Sequence, residues 1–199
     1  MKKFVMLILL IISNTLFSED LKNLGVIKNI KNIKRIVTVP NEDSVIFSTF
    51  NKEIKLYNLT NKTIDKSINL ENLFSDFLIT DDKKNIIGMY GKYIDVIDFN
   101  SGLTEYTIET PFNIRKILLN KDKNKIVVVS IDNIVNIYDL KNGTLLDTIK
   151  TDYYMSDSFL DKNILYYTHL SEIKKIDLES TERESEIYLE KGDLFSSKG

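Results

Sequence analysis

The chain has 199 residues, a formal net charge of −2, two Pro and no Cys or Trp, and it contains neither Ala nor Gln. Without cysteine there is no disulfide framework, no thiolate metal site, no cysteine nucleophile and no acceptor for the lipid anchor of exported lipoproteins. Losing two strong helix formers while Ile, Val, Tyr, Phe and Thr abound favours an all-β chain, although AT-rich codon usage would deplete Ala as well. Hydrophobic residues at 43% and charged residues at 28% are globular proportions, which argue against disorder over most of the length.

The N-terminus reads first. Lys2 and Lys3 precede an unbroken apolar run over residues 4–12, and a polar, small-residue stretch leads to the first acid at Glu19. This is the order of a secretory signal peptide over residues 1–18, with an apolar run well short of the ~18–20 residues a membrane span needs. Cleavage after Ser18 leaves residues 19–199 as a single domain. Removing Lys2 and Lys3 from 27 basic residues leaves 25 against 29 acids, a net of −4. That balance offers no basic excess for nucleic acid or an anionic membrane. The expectation is an exported chain, periplasmic or extracellular, with no lipid anchor and no membrane span after cleavage.

The mature part repeats. Residues 53–59, 93–99 and 134–140 align, each with an apolar or aromatic residue, then Asp or Asn, then Leu or Phe, and residues 173–178 share the ending. The Asx positions Asn58, Asp98, Asp139 and Asp177 are spaced by 40, 41 and 38 residues. Each unit opens with a short apolar strand (36–39, 77–79, 117–119, 159–160) that runs into a polar turn. A second strand follows (44–49, 85–90, 125–130, 163–168), whose near-continuous apolar centre, such as Ile126-Val127-Val128-Val129, predicts burial on both faces. The aligned segment is the third strand, and it ends in turn chemistry of which Asn142-Gly143 is the strongest hairpin signal. A fourth strand alternates (63–68, 104–108, 144–149, 185–189).

Four short antiparallel strands per ~40 residues make a β-propeller blade. The chain resembles the WD40-like and related bacterial propeller repeats: the Asx of Tyr57-Asn58, Ile97-Asp98, Tyr138-Asp139 and Ile176-Asp177 matches the Asp of the family's Trp-Asp dipeptide. Tyr138-Asp139-Leu140-Lys141-Asn142-Gly143 is a typical third-strand exit. The resemblance implies about four four-stranded blades, over residues 33–70, 74–110, 113–151 and 154–190. There is no Trp at the dipeptide and no Gly-His pair upstream, and the sole His is His169. The family's hydrogen-bonded Asp/His tetrad is therefore absent. A β-sandwich with coincidental spacing is the competing architecture.

Four blades are few for such units. Residues 25–30 could supply a closing strand, yet the last unit has its own fourth strand at 185–189, and residues 194–197 look like the opening of another unit. One seam cannot take both spare strands. The count points to a partial ring, from a truncated frame or as half of a ring completed by another copy through open blade edges, with a compact four-bladed ring as the alternative.

Catalytic and metal motifs are missing. His169, expected in the loop after a second strand, has no second His and no nucleophile elbow. Asp81-Asp82 occupies a turn, and no EF-hand, Walker A or Gly-rich dinucleotide loop occurs. The acidic run Glu179, Glu182, Glu184 and Glu186 with Arg183 reads as a solvated outer strand. No cofactor or metal is expected. One asymmetry stands out: loops one–two and three–four are almost purely Asp, Lys, Asn, Gly and Ser. The opposite rim collects Phe50, Tyr90, Tyr93, Tyr153, Tyr154 and His169, interleaved with Lys52 and Lys92. Such residues either recognise a protein or envelope partner or cap the blade cores. The expected function is thus an exported, non-enzymatic binding or scaffold protein. The alternatives are a propeller hydrolase, lactonase or quinone-cofactor subunit, which needs polar residues converging at the channel mouth, and a truncated remnant without activity.

Overall fold

A computed structural model describes residues 32–120, 124–170, 172–180 and 186–189. The signal peptide, the spare strands at 25–30 and 194–197, the turn residues 121–123, and Glu182, Arg183 and Glu184 of the acidic run lie outside the described residues. All regular elements among those described are strands, in four antiparallel sheets of four. Blade 1 comprises β1 (Ile33–Thr38), β2 (Ser44–Thr49), β3 (Glu53–Asn58) and β4 (Thr63–Asn69); blade 2 comprises β5 (Asp76–Ile79), β6 (Asn85–Tyr90), β7 (Tyr93–Asp98) and β8 (Thr104–Glu109). Blade 3 comprises β9 (Ile114–Asn120), β10 (Lys125–Ser130), β11 (Ile134–Asp139) and β12 (Leu145–Lys150); blade 4 comprises β13 (Ser158–Asp161), β14 (Ile164–His169), β15 (Glu172–Asp177) and β16 (Glu186–Leu189). Strand order in every sheet follows the chain. This meander is what tight turns between sequential strands permit.

The repeated Asx has a local cause. Its side chain closes the turn after the third strand: the amide of Asn61 donates to Asn58 Oδ1 (2.9 Å), that of Ser101 to Asp98 Oδ1 (2.6 Å), that of Lys141 to Asp139 Oδ1 (2.7 Å) and that of Glu179 to Asp177 Oδ1 (2.9 Å). Asx side chains favour turns because they bond their own backbone this way. Gly143 completes the third-blade turn at φ +71°, and a Cβ there would sit 2.9 Å from the Tyr106 ring.

The residue before each Asx has a packing cause. Ile97, Tyr138 and Ile176 point back at the preceding blade and join its apolar cluster. Three clusters fill the three seams. Ile46 and Ile54 of blade 1 meet Phe77 and Ile86 of blade 2; Ile87 and Val96 of blade 2 meet Ile126 and Val128 of blade 3; Val127 and Ile137 of blade 3 meet Leu165 and Tyr167 of blade 4. The second strands of blades 1, 2 and 3 bury both faces, as their apolar centres predict, whereas β14 buries only Leu165 and Tyr167 on one face. At the first seam Phe74, 1% exposed, lies against Gly88, where a Cβ would come within 2.0 Å of its ring. A smaller cluster, Val45, Phe47 and Tyr57 with Ile33, Ile36 and Leu59, occupies the back of blade 1.

The inner strands abut in chain order, β1 on β5, β5 on β9 and β9 on β13, and β13 makes no comparable contact with β1 among the described residues. The result is an open arc of propeller blades, and the compact four-bladed ring is not formed.

Candidate functional site: an aromatic and cationic rim

On one rim, the turn between a blade's second and third strands is tied to the segment leaving its fourth. The Leu70 amide donates to Lys52 O (2.7 Å), Thr110 to Lys92 O (2.8 Å) and Thr151 to Asn133 O (2.9 Å). These bonds gather the candidate residues on the same side, because they lie in or beside such turns and links. The structure sorts them into three groups.

In the first group, Phe50 is 58% exposed in its turn, with the Lys34 ammonium 5.9 Å from its ring. Lys52, at φ 60°, turns its Nζ onto Glu71 O (2.9 Å). The second group is largely structural. Tyr90 is half-buried, stacked between Phe74 (6.1 Å) and Tyr93 (5.4 Å), and its hydroxyl donates to Asp95 Oδ1 (3.1 Å). Burial, reinforced by the Asp95 charge, pushes the Tyr90 phenol up to about 12. Asp95, itself 4% exposed, also accepts from Thr107 (2.6 Å) and Asn72 (3.4 Å). Lys92 lies 5.4 Å from the Tyr93 ring and pairs with Glu109 at 2.5 Å. Tyr90 and Tyr93 therefore cap a blade core.

The third group is the open one. Tyr153 and Tyr154, in the link between blades 3 and 4, are 37% and 49% exposed. The Tyr153 ring tilts against the His169 imidazole at 5.0 Å and receives the Lys174 ammonium at 4.0 Å. Lys174 is almost fully buried, with Glu172 3.3 Å away. The Arg115 guanidinium stacks over Tyr154 at 4.4 Å, and His169 Nδ1 lies 3.0 Å from Tyr154 O. His169 is the last residue of β14, opposite Glu172, rather than a loop residue. Thr151 Oγ1, 3.1 Å from both Asn133 O and Tyr153 O, fixes the link. A desolvated cation over a ring is worth up to ~2 kcal/mol, so Lys174 holds Tyr153 in place while one edge stays open to solvent.

Arg115 and Lys174 escape sequence reasoning. Each is one of at least two charges in its strand, beside Lys116 and Lys175 respectively, about one blade and about half a blade from the ring it meets, and no local pattern marks it. Among the described residues, no group of three His, Asp or Glu is placed to hold a metal ion.

No family model matches the chain, and no curated protein matches its sequence. Solved structures match its shape. The structure of U3-55K superposes with a TM-score of 0.66 at 12% identity, covering 82% of this chain and 54% of that one. The crystal structure of RRP9 WD40 repeats gives 0.66 and 12%, covering 82% and 53%. The fold is a WD40-like β-propeller. The chain spans about half the length of the propellers it matches. In WD40 terms, the dipeptide positions hold Tyr57-Asn58, Ile97-Asp98, Tyr138-Asp139 and Ile176-Asp177, with the second residue in the turn and the first in a seam for blades 2, 3 and 4 and in the blade 1 cluster for Tyr57.

Proposed function

We propose that this chain is an exported, non-enzymatic binding platform that engages a protein partner through the rim at blades 3 and 4. The observation that carries this reading is the ordered but open cluster of Tyr153, Tyr154, His169 and Arg115. Its rings are held by Lys174 and by the link backbone rather than by core burial. Preorganised Tyr and Arg give large contact area at small entropic cost and are enriched among residues that dominate binding. Phe50, on the same rim, extends the surface. Export rests on the charged, apolar and small-residue order of residues 1–18.

The test uses a photo-crosslinking residue in place of Tyr154 in the native cell. One dominant adduct is expected, lost when Tyr153→Ser and Arg115→Ser are added, in a chain whose far-ultraviolet spectrum shows the blades still folded at the temperature of the experiment. Adducts insensitive to those changes would remove the rim from the reading. N-terminal sequencing of the mature protein is expected to begin at Glu19; a retained Met1 would remove signal cleavage.

A further inference from the structure

The strongest hairpin signal in the sequence, Asn142-Gly143, is also a pair with chemistry of its own that neither the rim nor the blade packing uses. The exit turns of the first three blades are equivalent: counted onward from the Asx that closes each, the third residue is Asn61, Ser101 or Asn142 and the fourth is Lys62, Gly102 or Gly143. That fourth residue takes a positive φ in all three, at 60°, 74° and 71°. Only the third blade sets Asn before Gly, and the chain holds no other Asn-Gly pair. Asn142 is exposed.

An Asn followed by Gly is open to deamidation because no side chain shields the next amide. The Gly143 nitrogen attacks Asn142 Cγ, the bond from Cγ to the side-chain nitrogen breaks, and ammonia leaves with the proton of the attacking amide. The resulting succinimide takes up water at either carbonyl and opens to aspartate or isoaspartate. Nothing is oxidised or reduced, and water is the only other reactant.

The folded turn opposes this step at both reacting groups. The Gly143 amide donates to Asp139 O (2.9 Å), so the nucleophile is committed to the turn. Asn142 Oδ1 accepts from the Thr144 amide (3.0 Å) and the Thr144 hydroxyl (2.9 Å), which pins the carboxamide. Attack requires these bonds to open, and opening costs least in exposed turns. We propose that Asn142 is a site of spontaneous deamidation gated by the exit turn of blade 3, held back while the turn is closed and converted when it opens. The product does not fit the turn again. An isoaspartyl link lengthens the main chain by a methylene where Gly143 lies so close to Tyr106 and Ile108 that a Cβ would sit 2.9 and 3.0 Å from them. It also adds a carboxylate close to that of Asp139, at a cost in like-charge repulsion. Modification therefore loosens the start of β12. The site lies on the polar rim, so the inference is independent of the aromatic rim reading.

The purified protein is aged in mildly alkaline buffer, folded and in denaturing urea, and its digests are read by mass and by isoaspartyl-specific enzymatic methylation. Conversion at Asn142 is expected in both, slower in the folded chain by on the order of tenfold or more, because the bonds on the two reacting groups must open first. Thr144→Val removes the hydroxyl donor to Oδ1 and should speed the folded reaction roughly threefold, with the denatured rate unchanged. Asn142→Ser, which copies the residue of blade 2, should abolish the signal and keep the far-ultraviolet spectrum. Aged protein should melt below fresh protein, and the Asn142→Ser chain should melt the same before and after ageing. Equal rates in the folded and denatured chains, faster conversion at another Asn, a folded Thr144→Val chain no faster than the unaltered one, or aged protein that melts as fresh protein does would each overturn the proposal.

Discussion

The two rims of the arc are built from opposite chemistry. On the polar rim, Asx side chains are spent on the backbone of their own turns, so Asn58, Asp98 and Asp139 satisfy local donors and leave little to offer a partner. On the aromatic rim, links between blades bring rings onto cations from distant strands, and Tyr153 and Tyr154 keep exposed surface. The lesson is that the polar rim stabilises the blades, whereas the aromatic rim divides into residues that stabilise and residues free to bind.

The sharpest way to test that division is at Gly143 on the polar rim. Gly143→Ala forces a side chain into φ +71° and against Tyr106 and Ile108. It should cost about 2–3 kcal/mol, read as a fall in Tm of roughly 5 °C or more. Next comes Tyr153→Ala, which strips the ring from a buried Lys174 and should cost about 1–2 kcal/mol. Adding Lys174→Met should recover most of that loss; failure to recover it would mean that the ring, not the cation, sets the stability. Asp139→Ala opens one Asx turn and should cost about 1 kcal/mol in denaturant unfolding.

Smaller still is the acid response of the polar rim. Hydrogen bonds from the Ser101 hydroxyl and amide hold the Asp98 carboxyl below its ordinary value, and the Thr80 hydroxyl, then the Lys84 amide, do the same for Asp82. A folded value depressed below the unfolded one adds stability above the unfolded pKa and loses it as pH falls through the folded pKa. Melting between about pH 5 and about pH 2 should therefore show a fall in Tm that Asp98→Asn makes shallower. The smallest stability effects are expected at Phe50→Ser and Tyr154→Ser, within about 0.5 kcal/mol. A larger loss at Tyr154 would move it to the stabilising side of the rim.

Much of the architecture is legible in the sequence because its causes are local. Strands β2, β6 and β10 end where their apolar centres end, and the third strands stop at the Asx that bonds the turn. First strands were less legible: β1 begins at Ile33 and β9 at Ile114, ahead of the apolar stretches at 36 and 117, because charged Arg35 and Lys116 pair with Asp76 and Asp157 across seams rather than end the strand. Aromatics could be assigned to a rim by connectivity alone. Connectivity did not separate Tyr90, bonded to buried Asp95, from Tyr154, which lies open under Arg115.

By itself the sequence determined the four-strand period, the turns and the order of the blades, since hydrophobic alternation and Asx–Gly turns act over a few residues. Only the tertiary structure decided that the arc stays open, that Lys174 reaches Tyr153, and that Arg35 and Lys116 meet Asp76 and Asp157 of the next blade. Those facts depend on which inner strands abut, and packing between residues about one blade apart leaves no mark on the neighbours of either residue.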